Sequence, residues 1–140
     1  MPNRILINVI LLFLLIAGSA GIRILLNYFL SLKGWKPLSL RFTSPEEPLG
    51  QALGLVSLGI GGALYKNSVV MIYNDQGMYL RMIFFLKMFH PPLFIPWNKF
   101  SYVRDLTKFG IIRHELNVAQ TNLIINNRIY SEIESYIPVQ

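Results

Sequence analysis

Chemistry in this chain would have to start from a few side chains. The strongest candidate base is His90, in "MFHPPLFIPWNKF" (residues 88–100), where two prolines follow it directly. A histidine on a loop stiffened by Pro91-Pro92 could serve as a general base, but a base needs a nucleophile, an orienting acid or a metal partner. The only other histidine is His114, and the only aspartates are Asp75 and Asp105. None lies at a spacing that implies a site. No HExxH, GxSxG or glycine-rich phosphate loop occurs, and with no cysteine in the chain, thiolate nucleophiles, disulfides and Cys-based metal sites are excluded. The plainer reading is that the prolines stiffen a strand connection while His90 hydrogen-bonds its backbone. No catalytic, metal or cofactor residue is assigned. Convergence of His90, Tyr65 and an acid in one cleft would favour an enzyme.

The segment before His90 is unusual in another way. "MIFFLKMF" (82–89) is apolar almost throughout, with Lys87 the one interruption. Taken as a strand, it places Phe84, Leu86 and Met88 on one face and Phe85 and Phe89 on the other, whereas a strand with one buried face should alternate with polar residues. Two readings stay open. Either residues 33–50 cover the second face, or the segment is an exposed apolar tip. In the second case Phe85, Lys87, Phe89 and His90 form an interaction surface for a protein partner or an anionic lipid surface.

The elements that must position these residues begin with a membrane segment. Residues 5–22, "ILINVILLFLLIAGSAGI", carry no charge. As a helix they span about 27 Å, close to the hydrocarbon thickness. Arg4 and Arg23 can snorkel at the two ends, and the apolar pattern continues to Leu32, with Gly34 a helix stop. Tyr28, Lys33, Trp35 and Lys36 are the aromatic and basic types of a membrane boundary. The competing reading is a secretory signal peptide cut near Ala20, which would export the domain. The helical pattern beyond Arg23 favours a retained anchor. Arg23, Lys33, Lys36 and Arg41 outnumber Arg4 and the α-amine, so the domain is expected on the cytoplasmic side.

Overall charge is modest. The first 33 residues carry three basic residues and no acid, and the remaining 107 carry ten basic and seven acidic ones, so each part is +3. No dense basic stripe of the kind a nucleic-acid binder shows is visible, and no nucleic-acid partner is expected.

Residues 1–33 therefore form the anchor with its interfacial extension, 34–50 a linker with a short helix, and 51–140 a mainly-β domain. Pro37 is placed at the first position of the short helix, with Leu38, Leu40 and Phe42 packing. "TSPEEP" ends it. Short connections predict an antiparallel meander of six or seven strands. Gly77 is expected to give the positive φ of a hairpin, Tyr65-Lys66-Asn67 a plain turn, and Asp105 and Gly110 the bounds of another turn. Ser131 and Glu134 read as a capping box for a C-terminal helix, with Ile133, Tyr136 and Ile137 on its buried face and Trp97 anchored against it.

Strand, turn and strand in "MIYNDQGMYLRM", the "IPW" strand start in "LFIPWNKFSYV" and one terminal helix resemble the pleckstrin-homology-like superfold, including its GRAM-type and bacterial relatives. "GWKPLSLRF", "YKN", "GMYL" and "HPPLFIPW" are also similar to a family of small bacterial membrane-anchored proteins of unknown role, with a GW…HPPLxIPW pattern; the resemblance covers roughly residues 34–137. It implies a binding platform rather than catalysis. The chain departs from the lipid-headgroup-binding members of the superfold. Residues 69–82 carry one base, Arg81, and an acid at the turn, where those members carry a basic cluster.

Overall fold

The computed structural model describes residues 2–139, and the side chains of all of these except Pro2, Phe84 and Phe85. A long apolar helix leads into a seven-stranded antiparallel sheet, curled into a half-barrel and closed by a C-terminal helix.

Helix α1 (Pro2–Lys33) is 32 residues long, about 48 Å at helical rise. It contains the one described helix long and apolar enough to cross a membrane, and its most apolar stretch has no residue buried in the protein. A core helix of a soluble domain would be covered. Gly34 breaks the helix, and α2 (Trp35–Phe42) starts at once. Only glycine fits at 34, because a Cβ there would lie 2.7–2.8 Å from Ile60 and Gly61. Pro37 is the third residue of α2 rather than its first, still inside the turn whose N–H groups have no helical acceptor. Trp35 and Leu38 are buried, while Leu40, expected to pack, points to solvent at 79% exposure. An eight-residue helix lying on a surface buries one stripe, and position 40 falls off it.

Strands β1 (Gln51–Ile60) and β2 (Ala63–Tyr73) form a long hairpin through Gly61-Gly62, both at positive φ, as a two-residue turn matching strand twist requires. Tyr65-Lys66-Asn67 is not a turn. It lies inside β2, where Asn67 takes φ +46° at a register shift against β1 and receives Ser57 through its side chain. Strand β3 (Gly77–Met82) follows. Gly77 does not have positive φ; a Cβ there would run into the Ile95 carbonyl of β4 (Leu93–Pro96). The turn itself is made by Asn74, whose side-chain oxygen accepts from the Gln76 and Gly77 N–H groups.

The expected strand over 82–89 ends at Met82. Phe84–Phe89 is a 3-10 helix. The topology explains this. Leu80 of β3 pairs with Leu93 of β4, so the chain between must reverse, and a tight helix does so where Pro91-Pro92 cannot donate to a ladder. Its apolar residues have no alternating faces to fill; Leu86 packs on the core instead.

Strands β5 (Phe100–Lys108), β6 (Ile111–Val118) and β7 (Thr121–Asn126) complete the order β4-β3-β2-β1-β7-β6-β5. Asp105 does not bound a turn. It lies within β5, and the turn is Phe109-Gly110. Helix α3 (Asn127–Ile133) begins four residues before the expected capping box. Asn126 is its N-cap, accepting from the Ile129 N–H, and Ser131 sits mid-helix with its hydroxyl on the Arg128 carbonyl. Ile129, Ile133 and Ile137 close the core. Trp97 is buried against the following turn, its ring stacked on Tyr136 at 5.1 Å and its Nε1–H donating to the Asn74 carbonyl.

Candidate interaction surface at the helix–domain junction

The 3-10 helix, β2, α2 and the last turns of α1 meet around His90. The residue is 1% exposed. Its Nδ1 lies 2.8 Å from the Leu86 carbonyl, and since a carbonyl only accepts, Nδ1 carries the proton. Nε2 is then an acceptor, and the Tyr65 hydroxyl stands 3.0 Å away. The same hydroxyl is 3.3 Å from the Leu30 carbonyl in the last turns of α1. Trp35 completes the box. Its ring meets Tyr65 and His90 edge to face at 5.7 and 5.4 Å, and its Nε1–H donates to the Pro91 carbonyl at 2.8 Å.

The electrostatics follow from dry surroundings. Burial pushes the His90 imidazole below its usual value, partly offset by the bond to the Leu86 carbonyl. Burial likewise pushes the Tyr65 hydroxyl up to about 12. His90 is thus held neutral in one tautomer, and Tyr65 keeps its proton. A neutral histidine and a protonated phenol with no carboxylate beside them form a structural link. Pro91-Pro92 lie in the connection from the 3-10 helix to β4, and His90 bonds to backbone, as the plainer reading of the sequence has it.

Outside this box the surface changes character. Lys87 is exposed, Met88 is 68% exposed, and Phe89 is half-buried with its ring 5.2 Å from Tyr28 of α1. The Lys36 ammonium stands 5.9 Å from the centre of that Tyr28 ring. The Phe85 side chain, named with these residues as an interaction surface, lies outside the described residues. His90 belongs to the interior behind this surface and not to the surface itself.

The structure brings His90 and Tyr65 together, as an enzyme reading would ask, but no acid joins them. The acid goes to the other histidine. His114, 5% exposed, lies with Nδ1 2.9 Å from the Asp105 carboxylate and Nε2 2.9 Å from the Asn127 side-chain amide, under the Tyr130 ring at 3.8 Å. This pair was missed in the sequence although a signal exists. A two-residue turn at Phe109-Gly110 sets 105 opposite 114, and placing the turn there would have paired them. Among the described residues no group of three or more His, Asp or Glu could hold a metal ion. No family model, curated protein or solved structure matches the chain.

Proposed function

We propose that the chain is a membrane-anchored, non-catalytic docking module: α1 spans the bilayer, and the β domain is a platform for a protein partner or an anionic lipid surface. The observation that supports it best is the buried junction. The last turns of α1 and the domain share the Tyr65 hydroxyl, whose one proton is within reach of both the Leu30 carbonyl and His90 Nε2, the Tyr28–Phe89 contact and the packing of Trp35. A leader destined for removal has no need of such a contact. Cleavage near Ala20 would also cut inside the continuous helix and leave Leu25, Leu26 and Phe29 exposed on a short stub. The resemblance to the pleckstrin-homology-like superfold points the same way, toward binding. The basic excess from Arg23 onward supports a domain on the cytoplasmic side.

The test is carbonate and high-salt washing of membranes that hold the full chain, with N-terminal sequencing and protease treatment of sealed membranes. The expected result is retention, an N-terminus upstream of Gly21 and a domain protected from external protease. A soluble product beginning near Gly21 would overturn the reading.

A further inference from the structure

The 3-10 helix has a defined height above the membrane segment. The uncharged stretch of α1 ends at Arg23, and Tyr28, which holds Phe89, lies five residues further along the same helix. Five residues of helix rise about 7.5 Å. Hydrocarbon about 30 Å thick, within a bilayer of about 40–45 Å including headgroups, leaves a headgroup layer of about 5–7.5 Å on each side. The 3-10 helix therefore stands at the headgroup layer, at its outer edge if α1 is upright and deeper if α1 tilts.

Three observations say what occupies its open side. The apolar surface of α1 does not stop at Arg23; Leu25, Leu26 and Phe29 are 54–57% exposed and carry that surface up to the level of the 3-10 helix. Met88, on the 3-10 helix that meets α1 through Phe89 and Tyr28, is itself 68% exposed. The charge there has one sign. No acid occurs in residues 1–45 or 76–104, while Arg23, Lys33, Lys36 and Lys87 lie in these stretches. An apolar side chain beside exposed ammonium groups, at headgroup height on a helix that crosses the bilayer, is complementary to anionic phospholipid.

We infer that residues 86–89 form a foot on the bilayer, with Met88 entering the interfacial layer and Lys87 contacting anionic headgroups, so that the domain is pinned at two points. The inference rests on the anchored reading above. It assigns lipid contact to an element other than the β2–β3 turn; Arg81, the one base in residues 69–82, is paired with Glu47. The foot, with α1, fixes which side of the domain faces away from the membrane.

The test uses the full chain in nanodiscs. Because the chain has no cysteine, Met88→Cys accepts a single environment-sensitive fluorophore. Discs of phosphatidylcholine alone are compared with discs containing about one third phosphatidylserine, using a quencher fixed at headgroup depth and iodide in the water. The expected result is headgroup-depth quenching and iodide protection, stronger with phosphatidylserine. Lys87→Glu in the same background should lower the ratio of embedded to free foot by about fivefold or more, the effect of one lysine near an anionic surface. Free access of iodide in both lipids would overturn the foot. Equal protection in both lipids, or protection that grows with the number of chains per disc, would overturn the anionic assignment. Extraction of the chain by carbonate would instead overturn the anchored reading itself.

Discussion

The molecule buries two histidines, and their surroundings differ in kind. His90 sits among Trp35, Tyr65 and two backbone carbonyls, with no charge against it. His114 sits on Asp105, whose side chain is 62% exposed, between Asn127 and Tyr130. Both join elements, His90 the 3-10 helix to β2 and α1, His114 the start of α3 to the β5–β6 hairpin. The first link is dry, made of neutral hydrogen bonds and aromatic edges; the second has an acid open to water. A dry neutral link holds geometry at the cost of forbidding charge, which suits a joint that carries a domain on a long helix. A link with a solvated acid contributes less to stability but tolerates charge.

The contrast breaks most visibly at Trp35. Trp35→Ala removes a fully buried indole and leaves the Pro91 carbonyl without its donor. The expected loss is about 3–5 kcal/mol, read as a fall in the urea midpoint of the chain in micelles. A midpoint close to wild type would show that the junction contributes little. At the other link, His114→Ala also removes a buried ring, stacked on Tyr130, and should cost about 2 kcal/mol; the loss is smaller than at Trp35 because the ring is smaller and Asp105 regains water.

Acid sharpens the comparison further. The folded-state value of His90 lies below the 6.5 of the free side chain, so the unfolded chain binds more protons in the window between the two. The stability tied to neutral His90 is therefore complete above pH 6.5 and lost as pH falls toward the folded value. His90→Gln cannot titrate. It should be weaker than wild type by about 1 kcal/mol at pH 7.5, with the gap narrowing as pH drops below 6.5. A constant gap from pH 7.5 to 5 would contradict the dry, neutral junction. The smallest effect belongs to the exposed Arg81–Glu47 pair. The two meet at 3.2 Å with side chains 33% and 50% exposed, so Arg81→Ala should shift stability by less than about 1 kcal/mol.

Much of the architecture could be read from local pattern. The uncharged run over 5–22 and the short connections between strands each dictate their own geometry. What escaped reading was set by distant partners. Residues 84–89 read as a strand by composition, yet the pairing of β3 with β4 forces a reversal there. Gly77 looked like a turn glycine, but its role is close approach to Ile95. Ser131 had the right spacing for a cap, and Asn126 took that place because β7 ends there, five residues before the expected cap. The site shows the same division. Lys87 is exposed and Phe89 half-buried, as an apolar stretch broken by one lysine allows; the meeting of His90 with Tyr65, and of Tyr65 with Leu30, spans 25 and 35 residues and leaves no local trace.

The contacts of the His90 box predict that the apolar helix and the β domain keep one relative orientation. Spin labels on Leu25→Cys in α1 and Leu64→Cys in β2, both exposed positions, test it in nanodiscs by the width of their distance distribution. The account predicts a single narrow distribution that broadens when Trp35→Ala or Tyr65→Phe is added. A distribution already broad in the labelled parent, or one unchanged by both substitutions, would contradict it.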